Sequence, residues 1–386
     1  MLLSPSFALK ERDASITKLD RGFVERERKK DGFASVIAAA ANWPKHCGVT
    51  PGQIATEKFE FERHIKSFKA SGKAFERIFV KDAERAFKDP VNQETLEHML
   101  TILSARFGDY AQAMSLVASF LLLFLDVPVV LAMIMEMGTN PKYIPAYWKA
   151  QANDVATDGY VLHYLLDQQN KEVGGHLKKQ MILPETYVQK WFPALCVHVL
   201  PFEPLFNFFS RFCEEGHLFL FRFGLSFHDN LKSVLVKADD QGVLYALLRL
   251  DTEHSVIKQI AKDSVEFVNL GNRIVNDPKF LTVDMSGLSK ALTPLRKQLF
   301  EQHLKKKLEA AARATAAAQE AKAPAEKCAV CKKEGEYWCK ECAKVLCETC
   351  RDENKGGHDE DAHEVCTLEE RDDNEVVDKA KGLAIK

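Results

Sequence analysis

The sequence predicts an all-α fold followed by a small metal-bound module. Apolar residues recur at three- and four-residue spacing through FERHIKSFKASGKAFERIF and NQETLEHMLTILSARFG, and no alternating strand pattern persists. Helix boundaries are indicated by prolines, which cannot donate a backbone hydrogen bond inside a helix, at Pro184, Pro193 and Pro201. Seven of the ten cysteines lie within residues 328–366, mostly as C-x-x-C pairs, which indicates metal binding in a reducing compartment.

The composition of the 386-residue chain is that of an ordinary globular protein, with 46% hydrophobic and 28% charged residues. Its formal net charge is −2, so no basic field indicates a nucleic acid as partner. The N-terminal stretch is charged from Lys10 onward and lacks the apolar core and cleavage site of a signal peptide. We therefore expect a cytoplasmic protein that binds no nucleic acid.

Composition changes along the chain predict five segments. They are a polar N-terminal segment (1–55), a helical domain (56–250), a helical extension with a linker (251–323), a zinc module (324–370) and a charged tail (371–386). Within the extension, residues 290–320 are rich in Ala, Lys and Glu, with high helix propensity and a thin apolar face. This pattern favours an exposed, semi-rigid helix that acts as a spacer, with a partner-binding helix as the alternative.

The longest apolar stretch, residues 115–137, contains Asp126 followed by Val127 and Pro128. A membrane-spanning helix needs about 20 apolar residues, and a central Asp adds about 2.5–3.5 kcal/mol to its insertion free energy. Two buried helices are therefore favoured over one transmembrane segment. The first would end near Leu125, and the second would begin with Pro128 in its first turn.

The cysteine-rich module has the spacing C-x2-C-x7-C-x2-C-x4-C-x2-C-x7-H-x4-H. Its eight candidate zinc ligands are Cys328, Cys331, Cys339, Cys342, Cys347, Cys350, His358 and His363. A structural zinc site is closed by four N or S ligands, so eight ligands predict two zinc ions. The run is too short and polar for an apolar core, so metal must supply its folding energy. Spacing alone leaves open whether the pairs coordinate sequentially or interleave.

This spacing resembles the B-box zinc finger over residues 328–363. In that family the ligand pairs interleave in a cross-brace. The resemblance thus implies one zinc ion on Cys328, Cys331, Cys347 and Cys350, and a second on Cys339, Cys342, His358 and His363. Residues 328–370 hold six Lys/Arg against twelve Asp/Glu, which favours a protein partner over a nucleic acid for this module.

Five blocks follow one another in the helical domain. They are FVKDAERAF (79–87), YAQA (110–113), GGHL (174–177), WFPALCVHVLP (191–201) and FFSRFCEEGHLFLFRFGLSF (208–227). In this order they resemble the TBC domain, the Rab GTPase-activating fold, with its I-x-x-D-x-x-R, Y-x-Q-G, H-L, W-F-x-x-L and G-x-x-x-L-F-R signposts. The resemblance covers about residues 56–250. It implies a GTP-bound Rab-type small GTPase as partner and, through that partner, a peripheral place on vesicle membranes.

The resemblance also implies a role for four side chains. Arg85 corresponds to an arginine finger. Such an arginine, supplied in trans, raises the rate of GTP hydrolysis by about 10³–10⁵-fold. Gln112 corresponds to a second finger that positions the attacking water in place of the GTPase's own glutamine. Asp82, one helical turn before Arg85, would hold the guanidinium, and Tyr110 would pack to fix the glutamine loop.

Three departures from the TBC pattern motivate an alternative. Ala86 replaces a common threonine, Ala113 replaces the glycine of Y-x-Q-G, and Phe209-Ser210 stands where W-D is usual. If that glycine normally has a positive φ or allows close approach of the nucleotide, Ala113 would shift Gln112 or crowd the GTPase. The alternative is a non-catalytic adaptor that binds a Rab GTPase while the B-box recruits a second protein. The sequence lacks a G-x-x-x-x-G-K-[ST] motif, so no P-loop holds a nucleotide in this chain itself.

Overall fold

A computed structural model describes residues 34–144, 147–148, 153–281, 294–302, 305, 308–309, 312–313, 327–331, 333, 335–339, 344–352 and 365–367. The chain divides into two compact units, Met1–His303 and Leu304–Lys386.

All the regular elements in the described residues of the first unit are helices, which confirms the all-α prediction for this unit. Its first helices are α1 (Ala34–Ala40), α2 (Trp43–His46), α3 (Pro51–Ser71), α4 (Arg77–Ala86), α5 (Pro90–Phe107), α6 (Gln112–Leu122), α7 (Val127–Thr139) and α8 (Asn153–Gln169). They are followed by α9 (Lys171–Lys179), α10 (Pro184–Trp191), α11 (Phe202–Glu215), α12 (His217–Asn230), α13 (Lys232–Leu235), α14 (Gln241–Arg249), α15 (Ser255–Ile260), α16 (Ser264–Val275) and α17 (Pro278–Leu281). A further helical stretch covers residues 294–302.

Local sequence explains where the helices near the functional site begin and end. Helix α5 starts at Pro90, behind Asp89, whose carboxylate accepts a hydrogen bond from the backbone N–H of Val91. It ends at Gly108, whose φ of +76° is the left-handed conformation that terminates many helices. Only three residues then separate this glycine from α6, so the loop between the two helices is short and closely defined.

The apolar stretch of residues 115–137 forms two helices, as the sequence predicts. Helix α6 ends at Leu122, and α7 begins at Val127 with a proline in its first turn. The turn between them contains Asp126, which lies just before α7. Among the described residues no helix is both long enough and apolar enough to span a membrane.

An aromatic cluster joins the N-terminal helices to the rest of the core. Trp43 of α2 is 1% exposed, and its ring centroid lies 6.2 Å from that of Phe120 and 5.9 Å from that of Phe209. The indole N–H donates to the hydroxyl of Ser210 at 2.9 Å. Buried aromatic side chains contribute large apolar areas, so this part of residues 1–55 belongs to the main core.

The turn between α11 and α12 requires glycine. Gly216 has φ +72°, and a Cβ atom there would lie 2.1 Å from the carbonyl oxygen of Lys142. The next residue, His217, donates its backbone N–H to that same oxygen at 2.7 Å. This close approach of two backbones gives a physical reason for the glycine that opens the GHLFLFR block.

Two neutral histidines lie inside the core. His163 Nε2 is 2.7 Å from the hydroxyl of Tyr187, and His228 Nδ1 is 2.6 Å from the carbonyl oxygen of Gly224. Burial lowers the pKa of His163 to about 3 and that of His228 to about 4. Both imidazoles therefore stay uncharged in the folded protein at neutral pH.

These histidines predict a loss of stability in mild acid. In the unfolded chain their pKa returns to about 6.5, so their stabilising contribution is complete above that pH and is lost as the pH falls toward 4. Each imidazole adds about 1.4 kcal/mol per pH unit to the slope in this window. Urea unfolding at a series of pH values measures the effect. NMR provides the check, because an imidazole of His163 or His228 titrating near pH 6.5 in the folded protein would contradict this account.

The second unit contains a small sheet that the sequence did not predict. Strands β1 (Tyr337–Cys339), β2 (Lys344–Leu346) and β3 (Val365–Thr367) pair antiparallel in the order β2-β1-β3, and a short helix, α18 (Glu348–Asp352), follows β2. The guanidinium of Arg351 lies 4.0 Å from the centroid of the Tyr337 ring. Three-residue strands give too little sequence for an alternating pattern to be recognised.

Candidate functional site

Helix α4 has one buried and one exposed face. Phe79, Ala83 and Ala86 are buried, as helical spacing requires, and Asp82 lies on the same face at 4% exposed. Arg85 follows one turn later at the edge of this face, and 68% of its side chain is exposed. The helix therefore places the exposed guanidinium of Arg85 beside the buried carboxylate of Asp82.

The Asp82 carboxylate binds the other three side chains of the predicted catalytic set. Arg85 Nη1 donates to Oδ1 at 2.9 Å, and Gln112 Nε2 donates to the same oxygen at 3.3 Å. The hydroxyl of Tyr110 donates to Oδ2. A buried carboxylate is tolerated when charged and polar donors surround it, as they do here. Residues far apart in sequence are thus brought to one point.

Gln112 is the first residue of α6 and is exposed. The backbone beside it is held by the hydrogen bond that the N–H of Met114 donates to the carbonyl oxygen of Ala111, at 2.8 Å. Ala113 is the second residue of α6 and has helical geometry, so the positive φ that a glycine would permit is not needed there. The substitution of alanine for glycine therefore does not displace Gln112 through backbone strain.

Tyr110 connects the loop to α4. Its ring contacts that of Phe79 edge-on, with centroids 5.0 Å apart. Burial raises the pKa of Tyr110 well above its ordinary value, and the hydrogen bond to Asp82 raises it further. The phenol therefore stays protonated and acts as a donor to the carboxylate.

Replacing Tyr110 by phenylalanine is expected to destabilise the fold by about 1–3 kcal/mol, because Asp82 Oδ2 would stay buried without its donor. Denaturant unfolding measures this loss. Tyr164→Phe is the matched control. Tyr164 is 45% exposed, so removing its hydroxyl leaves no buried acceptor without a donor. Equal stability of the two variants would show that the Tyr110 hydroxyl does not support Asp82.

A groove of about 320 Å³ adjoins this loop. Residues of the loop and of α6 line it, among them Tyr110, Gln112 and Leu116. The rest of its lining comes from Tyr147 and Val155, and from the end of α10 and the turn that follows it. Gln112 therefore stands at the edge of a concave surface.

Four cysteines of the second unit form a candidate metal centre. The Sγ atoms of Cys328, Cys331, Cys347 and Cys350 all lie within 4.8 Å of one another. Zinc–sulfur bonds of about 2.3 Å place the corners of a tetrahedron about 3.8 Å apart, and Cys331 and Cys347 are 3.6 Å apart. The set fits one metal ion. It joins the first C-x-x-C pair to the third, which favours the interleaved arrangement over the sequential one.

Backbone hydrogen bonds favour a thiolate at Cys328, whereas burial and the neighbouring thiols raise the pKa of Cys350 to about 12. Burial opposes ionisation of Cys328, but backbone N–H groups of Cys331, Cys347 and Val330 outweigh it and lower the pKa of this thiol to about 6. Of the second predicted ligand set, Cys339 is buried at the end of β1. The other three ligands, Cys342, His358 and His363, lie outside the described residues. The cluster could hold one ion, and the second ion stays a prediction.

Comparison with known proteins identifies the helical part of the chain. A family model described as the Rab-GTPase-TBC domain matches residues 41–236. The chain belongs to this family. The match begins at residue 41, ahead of residue 56, where the sequence alone placed the start of the domain. The matched range therefore includes the buried Trp43.

Relatives of this TBC protein share only part of its length. TBC1 domain family member 10A of Mus musculus is 29% identical over 116 residues, which cover 30% of this chain and 23% of the relative. TBC1 domain family member 14 of Homo sapiens is 25% identical over 141 residues, or 36% of this chain and 20% of the relative. The chain thus spans less than a quarter of the length of these curated relatives.

Solved structures of TBC proteins are also similar to this chain. The Chlamydomonas flagellar RabGAP TBC domain is 13% identical with a TM-score of 0.49, and the match covers 71% of this chain and 96% of that one. The Ypt/Rab-GAP domain of Gyp1p is 11% identical with a TM-score of 0.47, over 70% and 97% of the two chains.

One polar cluster of this TBC protein was not predicted from the sequence. Asp158 of α8 is completely buried together with Tyr147 and His217, and Arg296 of the helical extension reaches the same carboxylate. Asp158 follows the buried residues 155–157 in its helix, and its polar partners are distant in sequence. A buried carboxylate in an apolar helix is the one signal that could have indicated it.

Proposed function

We propose that this chain accelerates GTP hydrolysis on a GTP-bound Rab-type small GTPase. Arg85 and Gln112 are its two catalytic side chains, and Asp82 and Tyr110 support them. The observation that carries the proposal is that both catalytic side chains are exposed and both donate to one buried carboxylate oxygen. Membership of the Rab-GTPase-TBC family supports the choice of partner.

The geometry suits the chemistry of GTP hydrolysis. A free GTPase is slow because charge on the γ-phosphate is poorly compensated and the attacking water is poorly held. The guanidinium of Arg85 has five N–H donors, and its contact to Asp82 leaves others to bind phosphate oxygens. Stabilisation of transition-state charge by such pre-positioned donors is a large part of catalysis.

Gln112 would act on the water. Its Nε2 donates to Asp82, which leaves the amide oxygen Oε1 to accept an O–H of the attacking water. The water oxygen attacks the γ-phosphorus as the bond to the β–γ bridging oxygen breaks. The products are GDP and inorganic phosphate, and the proton of the water leaves with the phosphate.

Two of the three departures from the TBC pattern do not displace the proposed catalytic side chains. Ala113 lies in ordinary helical geometry. Phe209 is completely buried, and Ser210 accepts a hydrogen bond from Trp43, so both belong to the aromatic core rather than to the exposed rim. The adaptor alternative therefore gains no support from these positions.

We propose further that residues 324–370 form a B-box-type module that binds two zinc ions and one partner protein. Its four-cysteine cluster supports one of these ions. We also propose the other segments that the sequence predicts, which are residues 1–55, 56–250, 251–323 and 371–386. The protein would act in the cytoplasm and reach vesicle membranes through its GTPase partner, where it would serve vesicle trafficking.

A panel of GTP-loaded Rab proteins tests the proposed activity. Phosphate release is measured for each Rab alone, with the full chain, and with its Gln112→Ala variant. We expect acceleration of at least one Rab and a loss of about 10²-fold in Gln112→Ala. Gln168→Ala, at an exposed glutamine near the end of α8, is the matched control. Binding of a Rab without any acceleration would contradict the proposal and favour the adaptor.

A further inference from the structure

Beneath the groove lies a buried carboxylate with three partners. Asp158 Oδ2 accepts from the hydroxyl of Tyr147 and lies 2.8 Å from His217 Nε2. Its other oxygen, Oδ1, lies 2.6 Å from Arg296 Nε. Asp158 is 0% exposed, so it needs a cation or strong donors to stay charged.

This network extends to the groove surface. Tyr147 lines the same groove as Gln112, and Val155, one turn ahead of Asp158 on α8, lines it too. The Tyr147 ring is also stacked parallel to that of Phe192, with centroids 6.3 Å apart, just before Pro193 of the groove lining. The carboxylate therefore fixes the wall that faces the glutamine.

Arg296 comes from outside the part of the chain that the family model matches, which ends at residue 236. It belongs to the helical stretch of residues 294–302, and it also lies 3.3 Å from Asp154 Oδ1. Leu295 and Leu299 of the same stretch pack against the core. The start of the predicted exposed spacer therefore packs against the helical domain. Its two leucines contact the apolar core, and its arginine pairs with the Asp158 carboxylate.

We propose that Arg296 is a positioning residue for the groove that Gln112 and Tyr147 line. The proposal rests on the proposed function, in which Gln112 at the edge of this groove positions the attacking water. Without the guanidinium, Asp158 loses the cation beside Oδ1, so its carboxylate and the Tyr147 hydroxyl that donates to Oδ2 are expected to shift. A shift of about 1 Å at a catalytic surface can cost about 10² in rate.

The test compares Arg296→Gln with Lys297→Gln in the full chain. Lys297 is an exposed neighbour in the same helix, so its variant loses the same charge but no contact with Asp158. Hydrogen–deuterium exchange is measured for peptides that contain Gln112, Tyr147 and Pro193. We expect faster exchange in these peptides in Arg296→Gln and unchanged exchange in Lys297→Gln. This readout does not depend on any GTPase.

The kinetic part uses the Rab that responds most strongly in the panel. Arg296→Gln is expected to lower the maximal stimulated rate by 10- to 100-fold, with less than a threefold change in the concentration that gives half-maximal stimulation. Arg296→Lys should restore most of the rate, because it keeps a cation beside Asp158. A purely structural defect would instead change the amount of folded protein and leave its maximal rate per folded molecule intact.

Wild-type exchange and wild-type rate in Arg296→Gln would overturn the proposal. If this variant does not fold, the double variant Arg296→Gln/Asp158→Asn replaces it, since removing both charges leaves no unpaired carboxylate buried. In this variant the Asp158 carboxylate that accepts from Tyr147 is gone as well, so the same changes are expected there, and their absence would equally overturn the proposal. If no Rab responds to the wild-type chain, the exchange measurement still decides whether Arg296 holds the groove.

Discussion

Replacing Arg85 by alanine is expected to lower the stimulated rate of GTP hydrolysis by about 10³-fold or more, the usual contribution of an arginine finger. The protein should fold normally, because 68% of the Arg85 side chain is exposed. The Asp82 carboxylate keeps its donors from Tyr110 and Gln112 in the variant. Single-turnover phosphate release from the responding Rab measures the rate, and thermal unfolding verifies the fold.

Two further variants make this experiment specific. Lys81→Ala removes a cation from the same helix, but Lys81 is paired with the exposed Glu84 rather than with a buried carboxylate. The rate of GTP hydrolysis stimulated by this variant should stay within about threefold of wild type, because an exposed ion pair contributes little to stability. Arg85→Lys keeps the charge and loses the fork of donors, so it should recover only a small part of the activity. Full activity in Arg85→Ala would exclude Arg85 as the finger.

Removal of zinc is expected to unfold the cysteine-rich module and leave the helical domain intact. Structural zinc supplies about 10–16 kcal/mol of apparent binding free energy in small domains, far more than the three short strands can replace. The full chain should contain two zinc ions by elemental analysis. After treatment with a chelator, the fluorescence of Trp338 in β1 should change, while the melting of the helical domain should not.

A cysteine substitution locates the first ion. Cys350→Ser removes one ligand of the observed cluster and should lower the zinc content by one ion per chain. Cys366→Ser is the matched control, because Cys366 of β3 is outside the eight predicted ligands and is only a spare candidate that could replace one of them. A full zinc content in Cys350→Ser, or its loss in Cys366→Ser, would require a different assignment of ligands.

The contact between Asp82 and Arg85 and the first metal cluster could be predicted because their patterns are local. Asp82 and Arg85 are one helical turn apart, so helical geometry alone brings them together. The C-x-x-C pairs likewise hold two ligands in one turn each. What the spacing could not decide was which pairs share an ion, since that depends on how the chain folds back between them.

The parts that sequence did not predict depend on contacts between distant residues. Arg296 lies in an Ala- and Lys-rich stretch in which each charged residue looks equally exposed, and its partner Asp158 is far away in the chain. The small sheet of the second unit has strands of three residues, which are too short to show a period. In both cases the tertiary partner, and not the local pattern, determines the structure.

A shared acceptor also has an evolutionary consequence. Because Asp82 Oδ1 holds both Arg85 and Gln112, substitutions at these positions are not independent of one another. Loss of the carboxylate would release three side chains in a single step, so decay of the site would be abrupt rather than gradual. Related genes are therefore expected to inherit the four-residue set whole or to lose it as a block.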